Sequence, residues 1–290
     1  MSVLSRFLES RPRETAGLAA LLLLTVVAVA GYGLFAVNPE RLPPVDWALE
    51  FFTISFQFFA QLHIAACAVA LGLVLVGRLR ARWLAALGAV YVLSFLAEHI
   101  GTGYGIPFGG YGYTGLLGYK LGGRVPFLIP LSWFLMALPS WILARAIMGP
   151  SAGPVGRVLL GSLWLVAWDL ALDPAMSYLT VYWRWEETGP YYGMPWLNLA
   201  GWYVTGLVLL TAIELLADRS GFHELPTRWM AAYYATVALL PMGMLAAAGA
   251  WLGVLVTLAG MAGCLALCLV ARRAYEAREE VPSPAPARAR

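Results

Sequence analysis

The chain has 290 residues, of which 61% are hydrophobic and 12% charged, with a formal charge of +3 and a mean hydropathy of +0.73. Soluble domains run at roughly 45–50% apolar and about 25% charged, and a domain of this size cannot hide such an apolar excess from water. The composition excludes a soluble globular protein, a disordered chain and a disulfide scaffold. It predicts an all-α, polytopic integral membrane protein of the cell membrane, with a single transmembrane domain over residues 1–278.

In chain order, apolar runs between charged or Pro/Gly-rich breaks predict eight spans, each long enough for a hydrocarbon core of about 30 Å. They cover approximately 16–37, 51–77, 83–100, 125–147, 156–173, 196–217, 229–248 and 251–271. Only a tight Ala/Gly turn parts the last two, so seven spans, with one long helix bent around Pro241, is the alternative. The first run, Ala16 to Val37, is too long for the apolar region of a signal peptide and reads as a retained helix. From Glu279 on, Pro, Ala and Arg predominate, and 279–290 reads as a disordered cytoplasmic tail.

The basic residues test the count. With eight spans, fifteen arginines fall on the side of the two termini, and Arg41, Lys120, Arg124 and Arg184 on the other. Positive residues stay on the cytoplasmic side, so both termini are expected in the cytoplasm. The arginines form no single basic face, and no nucleic-acid partner is expected.

Rare residue types narrow the chemistry. The three histidines, His63, His99 and His223, are too few for a His-box di-iron enzyme. The only lysine, Lys120, lies in a glycine-rich loop, where a retinal Schiff base would not form. Cys67, Cys264 and Cys268 sit in apolar runs without a CxxC pair and read as packing residues. A haem held by His63 and His99 is disfavoured, because the two lie at different depths. Gln57, Gln61 and Glu214 read as interhelical or interfacial polar groups. Gly110 to Gly115 matches GxGxxG but lies between two membrane helices, not between a strand and a helix, so it is no dinucleotide site.

Charged groups within a span are costly and are candidates for function. The third span ends in Glu98 and His99, with Glu98 about 22 Å along the helix from Trp83. The fifth carries Asp169 and Asp173, four residues apart and so on one face; Pro174 follows as a candidate helix end. All reach one level of the membrane, on the side away from the termini. At that level two long loops, 104–119 and 178–203, hold fourteen of the 38 aromatic residues. An interfacial belt accounts for some of them. Two glycine-rich loops of this length are better read as a re-entrant, aromatic-lined lid over a cavity.

Four segments, in this order, carry a resemblance: EHIGTGYGIPFGGYGYTG (98–115), RVPFLIPLSW (124–133), DLALDPAMSY (169–178) and WRWEETGPYYGMPWLNLAGW (183–202). They resemble the membrane carotenoid-biosynthesis protein family that includes carotenoid 1′,2′-hydratases, most strongly from Glu98 to Gly206. Met194 and Trp196 are bulkier than the aliphatic residues expected there, which bears on the shape of the pocket. The resemblance implies addition of water across the terminal double bond of an acyclic carotenoid end group, giving a tertiary 1′-hydroxyl. It implies a lycopene- or γ-carotene-like substrate in the bilayer, water as co-substrate, and other carotenoid-pathway enzymes as candidate partners.

The residues suit that chemistry independently. Hydration of an isolated trisubstituted alkene begins with a proton and passes through a tertiary carbocation, so neither cofactor nor metal is expected. The acid must hold its proton near neutral pH, which desolvation and a neighbouring like charge favour. Asp169 and Asp173 meet both conditions, with Asp169 preferred as the deeper; Glu98 and Glu186 are the alternative acids, with His99 as an orienting partner. Tyr104, Phe108, Tyr111, Tyr113, Trp183, Trp185, Glu186, Tyr191 and Asn198 are the candidate substrate-binding residues, the rings offering electron-rich faces to the cation. Two other functions stay open: an intramembrane prenyltransferase, whose second Asp-rich motif is missing here, and a non-catalytic carotenoid-binding protein.

Overall fold

The structure is a computed structural model that describes residues 3–279; the tail expected beyond that point lies outside the described residues. Among the described residues, eight helices are long and apolar enough to cross a membrane. After the five-residue α1 (Val3–Phe7), α2 (Pro12–Gly31) begins with proline in its first turn, where no backbone donor is lost. Glu14 reaches back to accept the Arg11 backbone N–H at 2.8 Å. The span runs on through a π-helical turn, Tyr32–Ala36, and Asn38 Nδ2 donates to the Gly33 carbonyl at 2.7 Å.

The other spans are α3 (Asp46–Leu79), α4 (Leu84–Tyr104), α5 (Leu128–Met148), α6 (Pro154–Asp173), α7 (Trp196–Ser220), α8 (Thr227–Ala247) and α9 (Trp251–Glu279). The seven-span alternative is not realised. Pro241 lies inside α8 without ending it, and the chain turns between Ala248 and Ala250, where Gly249 has φ 72°. The core is built on α5: 72% of its apolar stretch is buried, against 17–56% in the other seven spans. Helix α6 packs against α5, α7 and α9, and α4 against α5 and α7.

Pro174 does not end the fifth span, contrary to expectation. The helix continues through a π-helical turn, Pro174–Tyr178. A proline inside a helix leaves the carbonyl four residues earlier without its donor. Here that carbonyl belongs to Leu170, and the Tyr191 hydroxyl donates to it at 2.7 Å. The loop after the span thus supplies the hydrogen bond that the proline removes.

The two aromatic loops meet as an antiparallel ribbon. β1 (Tyr111–Tyr113) pairs with β4 (Trp183–Trp185) in the register Tyr111↔Trp185, Gly112↔Arg184, Tyr113↔Trp183. A second small pair, β2 (Lys120–Leu121) and β3 (Val125–Pro126), leads into α5. Side chains alternate along a strand. Tyr-Gly-Tyr opposite Trp-Arg-Trp therefore puts four rings on one face, toward the bundle, and leaves Gly112 and Arg184 exposed. The loop before β1 descends close to the helices because Gly101 and Gly201 leave room. A Cβ at Gly201 would stand 2.6 Å from the Pro107 carbonyl oxygen, and one at Gly101 2.8 Å from the Phe108 ring.

Candidate active site

Beneath the ribbon lies a cavity of about 120 Å³, walled by α3, α4, α5, α6, α7 and α8. Its polar points are few, and two are carboxyls: Glu98 from α4 and Asp173 from α6. Both are buried, as are Asp169 and Asn198.

Glu98 is held by three donors. The Tyr111 and Tyr113 hydroxyls both donate to Oε2, the latter at 2.7 Å, and Trp133 Nε1 donates to Oε1 at 2.8 Å. Burial, and then the nearby Glu98 carboxylate, hold both phenols well above the usual tyrosine range. They keep their protons and act as donors.

Asp173 accepts from Ser177 Oγ at 2.7 Å and Trp185 Nε1 at 3.1 Å on Oδ1, and from Asn198 Nδ2 at 2.9 Å on Oδ2. The same amide donates to Asp169 Oδ2 at 3.0 Å, while Asp169 Oδ1 is buried with no hydrogen-bond partner among the described residues. Asn198 therefore bridges the two aspartates. The ribbon register ties the acids together as well: Tyr111 bonds to Glu98, and its cross-strand neighbour Trp185 bonds to Asp173.

Every one of these donors is neutral. Among the described residues, no arginine, lysine or histidine forms an ion pair with Glu98, Asp169 or Asp173. Aromatic rings fill the space around the acids. Trp133 stacks on Trp202 with centroids 4.1 Å apart, and Trp168 meets Trp202 edge-on at 5.8 Å. Phe108 packs on Trp133 at 6.2 Å and on Tyr111 at 6.0 Å. Among the described residues, no group of three or more His, Cys, Asp or Glu side chains converges as a metal site.

Of the residues singled out in the sequence, Glu98, Asp173, Phe108, Tyr111, Tyr113, Trp183, Trp185 and Asn198 line the cavity. Asp169 lies behind the wall, so Asp173, not the deeper Asp169, presents a carboxyl to the interior. His99 does not orient Glu98. Consecutive helical residues point apart, and its ring packs on Phe95 at 5.5 Å and faces Gly122. Tyr104 is 79% exposed, and Glu186 is exposed beside Gly110 on the outer side of the ribbon. Tyr191 serves the Leu170 carbonyl.

Sequence reasoning missed Trp133 and Trp168 as wall residues, while Trp202, from the aromatic segment 178–203, does line the cavity. A buried tryptophan usually finds a partner for its N–H; Trp133 has Glu98, whereas Trp168 Nε1 is buried with no hydrogen-bond partner among the described residues. His63, set aside in the sequence as a haem ligand, packs between helices: its Nε2 lies 3.0 Å from Thr25 Oγ1. It also lines the cavity. The Thr25 hydroxyl gives its hydrogen to the Leu21 carbonyl, which leaves His63 Nε2 as the donor.

Fold and site together define a multi-pass membrane protein with an apolar, aromatic-walled interior and carboxyls at its polar end. The chain belongs to the carotenoid biosynthesis protein family, whose sequence pattern matches residues 58–264. A relative, bisanhydrobacterioruberin hydratase of Haloarcula japonica, is 34% identical over 140 residues, 48% of this chain and 47% of that protein. The chain therefore aligns with about half the length of this curated relative. No solved structure matches the chain.

Proposed function

We propose that this protein is a carotenoid hydratase of the cell membrane, a single transmembrane domain with both termini in the cytoplasm. It adds water to the terminal 1′,2′ double bond of an acyclic carotenoid end group. The observation that carries the reading is the pair Glu98 and Asp173: two buried carboxyls, surrounded only by neutral donors, facing one aromatic-walled cavity. Such groups are costly inside a membrane and are kept for chemistry. The hydratase relative supports the same reaction class.

In this mechanism the Asp169–Asn198–Asp173 unit supplies the proton. Two neighbouring buried carboxyls repel as a pair of anions, and sharing one proton relieves the repulsion. Asp173 delivers that proton to the less substituted alkene carbon, forming a C–H bond and leaving a tertiary cation. The indoles of Trp133, Trp185 and Trp202 offer π faces to the cation. Glu98, fixed as an acceptor by three donors, opposes the positive charge and takes a proton from the attacking water as the C–O bond forms. Exchange with solvent returns the proton to the aspartate pair, so the net change is addition of one water.

Expression in a host that accumulates lycopene tests this. The expected result is pigment heavier by one water, and retention of the activity by chelator-treated, anaerobic protein in detergent. Unaltered pigment in the presence of folded protein overturns hydration in favour of a binding role. Loss on chelation with restoration by magnesium favours the prenyltransferase-like alternative.

A further inference from the structure

A second hollow, about 480 Å³, lies between the loosened end of α2 and the first half of α3. Its wall includes Tyr32, Phe35, Trp47, Phe52, Phe56 and Phe59. The last three fall at spacings of four and three on α3, which is one face of a helix. This groove meets the cavity below the ribbon: Ala60, Met176, Tyr182 and Leu240 line both. Tyr182 is fixed there by its hydroxyl, which donates to the Phe56 carbonyl at 2.8 Å.

We propose that the groove holds the conjugated polyene of the substrate, and that the four shared residues form the neck through which its end group reaches the carboxyls. This rests on the reading of the cavity as an end-group site. A conjugated chain is stiff and nearly straight, so the polyene has to leave the cavity in line with the bound terminus. The groove shares these four wall residues with the cavity, is apolar and is about four times larger. Its flat rings suit a planar polyene better than the saturated chain of a membrane lipid, which bends freely. Ala60 is the smallest side chain at the neck, and its size sets the width there.

The test uses Ala60→Phe, with Phe52→Ala as a variant that removes bulk, so that misfolding of either one alone does not decide the outcome. Val69→Phe, on the lipid-exposed side of the same helix, is the control. In a chain carrying Asp173→Asn, lycopene bound per folded protein should fall by at least about tenfold with Ala60→Phe, the scale of forcing a ring into filled space. It should also fall with Phe52→Ala, and stay at the parental level with Val69→Phe. In the active chain, Ala60→Phe should raise the ratio of myrcene to lycopene hydration, because myrcene carries the same terminus without the long chain. Unchanged lycopene retention in both groove variants overturns the proposal, as does a co-purified phospholipid that lycopene fails to displace. Groove-dependent binding without any hydration would sink the hydratase reading and leave the groove standing. Hydration of lycopene indifferent to the groove variants would do the reverse.

Discussion

Helix α5 donates a tryptophan N–H to a glutamate at each end of the bundle, and the two ends differ in everything else around the acid. At the ribbon end, Trp133 bonds to Glu98, whose other partners are two tyrosine hydroxyls. At the arginine-rich end, eight residues on, Trp141 Nε1 donates to Glu214 at 2.7 Å, and Arg157 grips the same carboxylate with Nε at 3.0 Å and with Nη2. Glu14, fully buried at that end, is likewise paired with Arg78 at 2.8 Å. A buried carboxylate with its own guanidinium is a closed electrostatic unit that fixes how helices meet. A buried carboxyl with neutral donors only is left open to a charge or proton arriving from elsewhere. The contrast separates acids that hold the bundle from acids that face the cavity.

The largest expected effect comes from removing the proton carrier. Asp173→Asn keeps the size and part of the hydrogen bonding to Ser177, Trp185 and Asn198, but it cannot donate an acidic proton. General-acid catalysis contributes about 10²–10⁴-fold, and hydration should fall by at least that much in a folded, membrane-inserted protein. Near-normal turnover in this variant would move the acid to Glu98 and make the aspartate pair structural.

Glu98 comes next. Glu98→Gln removes the negative charge proposed to oppose the cation, and its NH2 group leaves at least one of the three donors facing another donor. The finer test is Tyr113→Phe, which deletes one donor and leaves the acid. A hydrogen bond to a charged group contributes about 1.5–3 kcal/mol, so turnover should drop about tenfold or more. If Tyr113→Phe and Glu98→Gln both left product formation unaltered, Glu98 would belong with Glu14 and Glu214.

Those arginine-paired acids give the opposite signature. Glu14→Gln leaves Arg78 facing a neutral partner in a buried site. Removing one member of a fully buried pair costs about 3–5 kcal/mol of stability, and the partial exposure of Arg78 puts the cost here at the lower end. The melting temperature should drop, while turnover per folded molecule stays at the parental level. A turnover defect as large as that of Asp173→Asn, with unchanged melting, would erase the distinction between the two ends.

Much of this contrast was legible in the chain. Hydropathy alone predicts the eight spans found, most ends within about five residues and the end of the last about eight residues short, because a membrane helix is written in its composition. Glu98 and Asp173 stood out because charges within spans are so few. What could not be read is convergence. That Tyr111 stands opposite Trp185, and so links Glu98 to Asp173, depends on a pairing between segments more than seventy residues apart. Tyr191 looked like a ligand-facing ring, and its work for the Leu170 carbonyl follows only once the helix is seen to continue past Pro174. Asp169 shares a helix face with Asp173, yet one turn is enough to put it behind the wall.

The smallest expected effect belongs to Glu186, an acid at the ribbon end that the comparison leaves out. Its backbone N–H donates to the Gly110 carbonyl at 2.9 Å and extends the ribbon, while its side chain lies exposed on the outer side. A carboxylate already in water has no unrelieved charge to offer a buried alkene. Glu186→Gln keeps the backbone bond, and surface changes of this kind stay within about 0.5 kcal/mol, roughly a twofold effect. Rates of lycopene hydration and melting temperature, measured beside Asp173→Asn, should both match the parent chain. A loss on the scale of Asp173→Asn would mean that the ribbon lifts and brings Glu186 inside during turnover, and proximity to the cavity in this closed arrangement would no longer identify the acid.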